Sequence, residues 1–76
     1  MKAIHEGWIT LNKEVMMGKP CIKGTRITVE LILQRLSEGE TIEGLIEGYP
    51  HITKEGILAC IDYARAIMKN EKVVEL

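Results

Sequence analysis

Two cysteines, Cys21 and Cys60, are all that the chain offers for cross-linking, and neither belongs to a Cys-x-x-Cys pair. They cannot staple a small secreted scaffold as several disulfides would, so a reducing cytoplasm is the expected location. Long apolar runs are missing too. The longest, Ile57 to Ile61, falls far short of a membrane span, and the first twelve residues carry Lys2 and Glu6 without a signal-peptide core. A soluble, unexported protein follows. Reactive side chains are equally scarce: the one serine, Ser37, lies near the end of a predicted helix, the one aspartate is Asp62, and the two histidines, His5 and His51, stand far apart. No Ser/His/Asp or Cys/His arrangement is visible, and a metal would need three or four convergent ligands. His51, in a Tyr-Pro-His turn, reads as an exposed loop residue. Neither catalysis nor a metal, cofactor or small-molecule substrate is expected.

Net charge is also nearly absent, ten basic against eleven acidic residues, which speaks against a generic polyanion binder. The charges are unevenly spread, however. Residues 13–29 sum to +3 through Lys13, Lys19, Lys23 and Arg26 against Glu14, and residues 30–47 sum to −4.

What remains is a chain of 76 residues, 46% apolar and 28% charged, with no repeat or linker, expected to form one domain over 1–76. A chain of this size buries only about 60% of the surface its unfolded form exposes, so association with a copy or partner is the natural source of extra burial. Trp8-Ile9-Thr10-Leu11 and Pro20-Cys21-Ile22 are β-prone, and a hairpin with a basic loop is expected over 8–27. Over 28–70 a tri-helical unit follows. Thr28 precedes Val29, Ile32, Leu33 and Leu36 as an N-cap, and Gly39 ends that helix. Thr41 opens a second helix with Ile42, Leu45, Ile46 and Tyr49 on one face. Its interior Gly44 costs about 1 kcal/mol against alanine, and Gly48-Tyr49-Pro50 stops it. Thr53 opens the third helix, which runs to about Asn70 with Ile57, Cys60, Ile61, Ala64, Ile67 and Met68 expected on the buried side. Three helices of rising length result, and the fold class is mainly α with a short N-terminal hairpin.

Opposite that apolar side the third helix carries Glu55, Ala59, Asp62, Tyr63, Ala66 and Lys69. The order of the second and third helices resembles a helix-turn-helix, but two carboxylates against one lysine make a poor surface for reading DNA. Ala59, Tyr63 and Ala66 suit close packing by a partner helix, or equally a solvated face whose alanines serve helix propensity. Val73, Val74 and Leu76, in the tail 71–76, have no obvious place in the core and either fray or order on a partner. Trp8, Ile9 and Leu11 are short of cover and are the expected homodimer contact. Gly18 and Gly24, separated by five residues, lack the spacing of a phosphate loop, so turns flanking a strand, with Arg26 paired to a glutamate such as Glu30, account for that stretch.

The run from Gly18 through Lys19, Pro20, Ile22, Gly24, Thr25 and Arg26 to Val29, followed by Gly39, Thr41, Tyr49-Pro50, Thr53 and Tyr63-Ala64, resembles the small prokaryotic family known as domain of unknown function four-three-three. The likeness covers roughly residues 8–67. It implies a homeodomain-like or winged-helix-like three-helix bundle behind a short hairpin, together with dimerisation, an antitoxin-like role beside a toxin of PIN-like nuclease fold, and operator binding. If operator DNA is bound, Lys19, Lys23 and Arg26 are the expected contacts. A structural interaction module with neither toxin nor operator is the alternative.

Overall fold

The computed structural model of the chain describes residues 7–70. Its elements run in the order β1 (Ile9–Thr10), β2 (Cys21–Ile22), α1 (Val29–Ser37), α2 (Ile42–Gly48) and α3 (Lys54–Asn70). The strands pair antiparallel, Ile9 opposite Ile22 and Thr10 opposite Cys21. The fold is thus mainly helical with a short N-terminal hairpin, as the residue pattern predicts. The helices do not lengthen steadily, because α2 is the shortest. The connection between the strands also holds a single 3-10 turn, Met16–Gly18, in which Met16 and Met17 both take left-handed backbone conformations. Such positions are costly for residues bearing a Cβ.

Each helix begins on a threonine, and the reason is local. The first amides of a helix have no carbonyl partner within it. Thr28 Oγ1 accepts the Leu31 N–H at 3.0 Å, Thr41 Oγ1 that of Gly44 at 3.0 Å, and Thr53 Oγ1 that of Gly56 at 3.1 Å. The two glycines therefore occupy equivalent places in successive Thr-x-Glu-Gly segments. At Gly44 an added Cβ would sit 3.2 Å from the capping hydroxyl, so the bare backbone lets the cap close. After α1 the chain turns at Gly39, whose φ of +98° suits glycine alone.

The core joins Ile22, Val29, Ile32, Leu45, Ile52, Ile57 and Cys60, with Ile9, Leu33, Ile42, Tyr49 and Tyr63 packed around it. Helix α3 is the hub, touching α1, α2 and β1. Its orientation differs from the expected one. Gly56, Ile57, Ala59 and Cys60 are buried, with Ala59 fully so, whereas Ile61 is 41% and Met68 64% exposed. The helix is thus turned by roughly 80° from the face its long apolar side chains predict, at 100° per residue. The cause is the hairpin. A Cβ at Gly56 would meet Ile22 Cγ2 at 3.5 Å, in van der Waals contact, so this position has room for a methyl group and little more. Contact area is gained by backbone approach, and the large Ile61 and Met68 are displaced outward.

Both thiols lie in this seam. Cys21 and Cys60 are free and buried, and burial pushes both up, Cys60 to about 12 with the Cys21 charge adding to the effect. The unfolded thiol ionises near its ordinary 9.0, so Cys60 keeps its proton in the folded chain where the unfolded chain gives it up. Its contribution is whole below pH 9 and lost as pH rises through about 12. Urea unfolding should therefore show stability declining above pH 9, with a shallower decline in Cys60→Ala, and native thiols should react with a disulfide reagent far more slowly than unfolded ones. In the same assay Thr28→Ala should cost about 1 kcal/mol through the lost cap.

Candidate partner and nucleic-acid surfaces

The segment Gly18 to Val29 is built by turn chemistry before it does anything else. Gly24 has a φ of +78°. Beside it, Thr25 Oγ1 donates to the Ile22 carbonyl at 2.8 Å and accepts the Ile27 N–H at 3.0 Å, while the Ile22 N–H reaches the Ile27 carbonyl at 3.0 Å. The Pro20 carbonyl accepts the Val29 N–H at 2.9 Å and so ties the loop to the start of α1. Ile22 enters the core. Glycines, proline, isoleucine and threonine in this stretch are accounted for by geometry, which leaves the cations to face water.

Those cations do not form one cluster. Lys19 Nζ lies 3.5 Å from Glu30 Oε1, an exposed pair worth little stability that nonetheless offsets the lysine's charge. The expected Arg26 to Glu30 pair is not made; Glu30 pairs with Lys19 instead. Arg26 has no ion pair among the described residues. It borders two clefts: one of about 430 Å³ with Thr10, Asn12, Val15, Gly24 and Thr25, and one of about 270 Å³ with Met16, Thr28, Glu30, Leu31 and Gln34. Lys23 is exposed in the turn, held by its N–H on the Trp8 carbonyl at 2.7 Å. The basic surface thus reduces to Lys23 and Arg26, beside cleft walls that carry hydroxyl and amide groups.

The expected partner face of α3 needs correction. Ala59 points into the fold and meets no partner, and Tyr63 packs against the core while lining a groove with Pro20, Val29, Leu33, Ala64 and Ile67. That groove, about 260 Å³ and mostly apolar, runs between α1 and the C-terminal half of α3 with Glu30 at its rim. Ala66 is half-buried. Val73, Val74 and Leu76 lie outside the described residues, as does His5. Of the hairpin residues expected to be short of cover, Ile9 packs on the core and Trp8 is half-buried, while Leu11 remains 63% exposed.

The outward face of α3 instead carries Lys54, Leu58, Ile61, Arg65, Met68 and Lys69, with Glu55 and Asp62 along one edge. Arg65 Nε donates to Asp62 Oδ1 at 2.9 Å. The acidic character read from the projection is therefore wrong for this face, which mixes three cations with exposed apolar side chains. Ile61 and Met68 went unrecognised on this face because their apolarity reads as core. The usable signal was the spacing of Gly56, Ala59 and Cys60, which marks a close-approach face.

No group of three His, Cys, Asp or Glu side chains able to hold a metal occurs among the described residues. No helix among them is long and apolar enough to cross a membrane.

No curated protein sequence matches the chain. Among solved structures it is similar to the crystal structure of a DUF433 member protein from Anabaena variabilis ATCC 29413, with a TM-score of 0.78 at 25% sequence identity. The alignment covers 84% of this chain and 63% of that one, so the chain spans somewhat less than two thirds of the relative's length. The family model described as "Protein of unknown function (DUF433)" matches residues 9–64, from the first strand through the middle of α3. By that match over residues 9–64 the chain belongs to the DUF433 family.

Proposed function

We propose that the chain is an antitoxin-like component of a toxin–antitoxin pair, acting as a homodimer that holds a toxin of PIN-like nuclease fold and contacts operator DNA. The observation that carries this reading is the separation of two surfaces on one small scaffold. Arg26 and Lys23 face water at a turn rigidly closed by Thr25, and the apolar groove between α1 and α3 lies apart from them, lined by Tyr63, Leu33 and Ile67. A groove of this kind takes apolar side chains of a protein partner, and unpaired cations beside hydroxyl groups take phosphate oxygens. A dimer presents the basic turn twice, which is how small DNA-binding proteins gather enough phosphate contacts.

The runner-up reading, an interaction module without DNA, is favoured by one observation. Ile61 and Met68 stand among the cations of α3, where a groove-reading helix of a helix-turn-helix protein would carry polar side chains.

Co-expression with the product of the adjacent gene tests the toxin arm: the antitoxin reading expects a stable co-purified complex and restored growth, and Leu33→Asp should abolish both. An independent assortment of the two proteins on a sizing column would contradict it. For DNA, anisotropy titration on the native upstream sequence should show that Lys23→Ala with Arg26→Ala weakens binding and flattens the slope of log K against log salt by about 0.9 per lost contact. Lys19→Ala should do less, since Glu30 already engages it. A change of base preference confined to α3 variants would place the reader on that helix instead.

A further inference from the structure

The outward stripe of α3 has the form of a helix-pairing seam. Leu58, Ile61, Arg65 and Met68 follow 3-4-3 spacing, the spacing at which one helix meets another side by side. Leu58 is half-buried, while Ile61 and Met68 are exposed. Along one edge of the stripe stand Glu55, Asp62 and Lys69, seven residues apart in turn.

We propose that this stripe is the homodimer interface, formed by two α3 helices pairing antiparallel about a two-fold axis near residue 63. The charges select both the partner and the direction. In the antiparallel arrangement Leu58 lies against the copy's Met68 and Ile61 against its Arg65, and Glu55 at one end falls beside the copy's Lys69 at the other. The two-fold axis makes each of these contacts twice. Near the axis the exposed Arg65 arrives with its charge already offset by its own Asp62, a mostly buried carboxylate that accepts from Arg65 Nε at 2.9 Å. Lys54 lies beyond the overlap and stays in water. A parallel pair would lay Arg65 and Lys69 of one helix along the same cations of the other, which disfavours it. A second copy is therefore the occupant whose charges complement this edge.

The inference keeps the dimer of the proposed function and moves its surface from the hairpin to α3. It needs neither toxin nor DNA to hold. The test is sedimentation equilibrium of the full chain up to about 100 μM, a range that reads any association worth more than about 5 kcal/mol at standard state. The wild type should be a dimer. Glu55→Lys and Lys69→Glu should each weaken it by roughly ten-fold, two pairs being turned from attraction to repulsion. The double reversal should restore affinity to within about three-fold of wild type. Ile61→Asp should leave a folded monomer by circular dichroism, and Leu11→Asp should change nothing. Monomer throughout would overturn both the dimer and this surface. A dimer that Leu11→Asp dissociates while the α3 reversals leave it intact would overturn the surface alone. Additive weakening in the double reversal would overturn the antiparallel direction.

Discussion

The close approach of the β2 side chain Ile22 to the backbone of α3 at Gly56 governs the rest of the molecule. A hairpin of two residue pairs has too little hydrogen bonding to stand alone, so it is held by what its inner face rests on. Its Ile22 rests on Gly56 and joins Ile57 and Cys60 in the core, and the bare Gly56 backbone lets the strand sit near the helix. The same choice fixes the roll of α3. With small residues inward, Leu58, Ile61, Arg65 and Met68 have only the solvent side left.

The turn chemistry of the Gly18 to Val29 stretch serves that seat. Gly24 and Thr25 fold the chain back so that Ile22 enters the core, and the Pro20 carbonyl joins the loop to α1. A motif specific enough to mark the family is, residue by residue, mostly a device for placing one isoleucine. Arg26 is the exception, since nothing in the turn needs its charge. The division is physical: residues that satisfy backbone groups or fill the core are bound to the fold, and those that only face water are available for a partner.

Helix starts were readable in the sequence because a threonine before an apolar periodicity has a local cause, and each of Thr28, Thr41 and Thr53 makes the expected bond. The hairpin strands and the exposed His51 turn were readable for the same reason. The roll of α3 was not, because apolar periodicity counts large side chains as inward and small ones as indifferent. Near a β-ribbon the ranking reverses, since backbone approach gains more contact than a long side chain does. The ion pairs were equally hidden. Arg26 and Lys19 are both within reach of Glu30 in sequence, and only the path of the loop decides between them. Oriented wrongly, α3 looked acidic; oriented by its small residues, it presents three cations around an apolar seam.

The orientation of α3 can be tested at one residue. Ala59 lies fully inside in this account, whereas a helix rolled onto its large apolar face would leave it in solvent. Equilibrium urea unfolding of Ala59→Leu, followed by circular dichroism, separates the two. Overpacking predicts a loss of about 1–3 kcal/mol with an unchanged dependence on denaturant. Unchanged or increased stability would contradict the account, because leucine on an exposed helix face costs almost nothing.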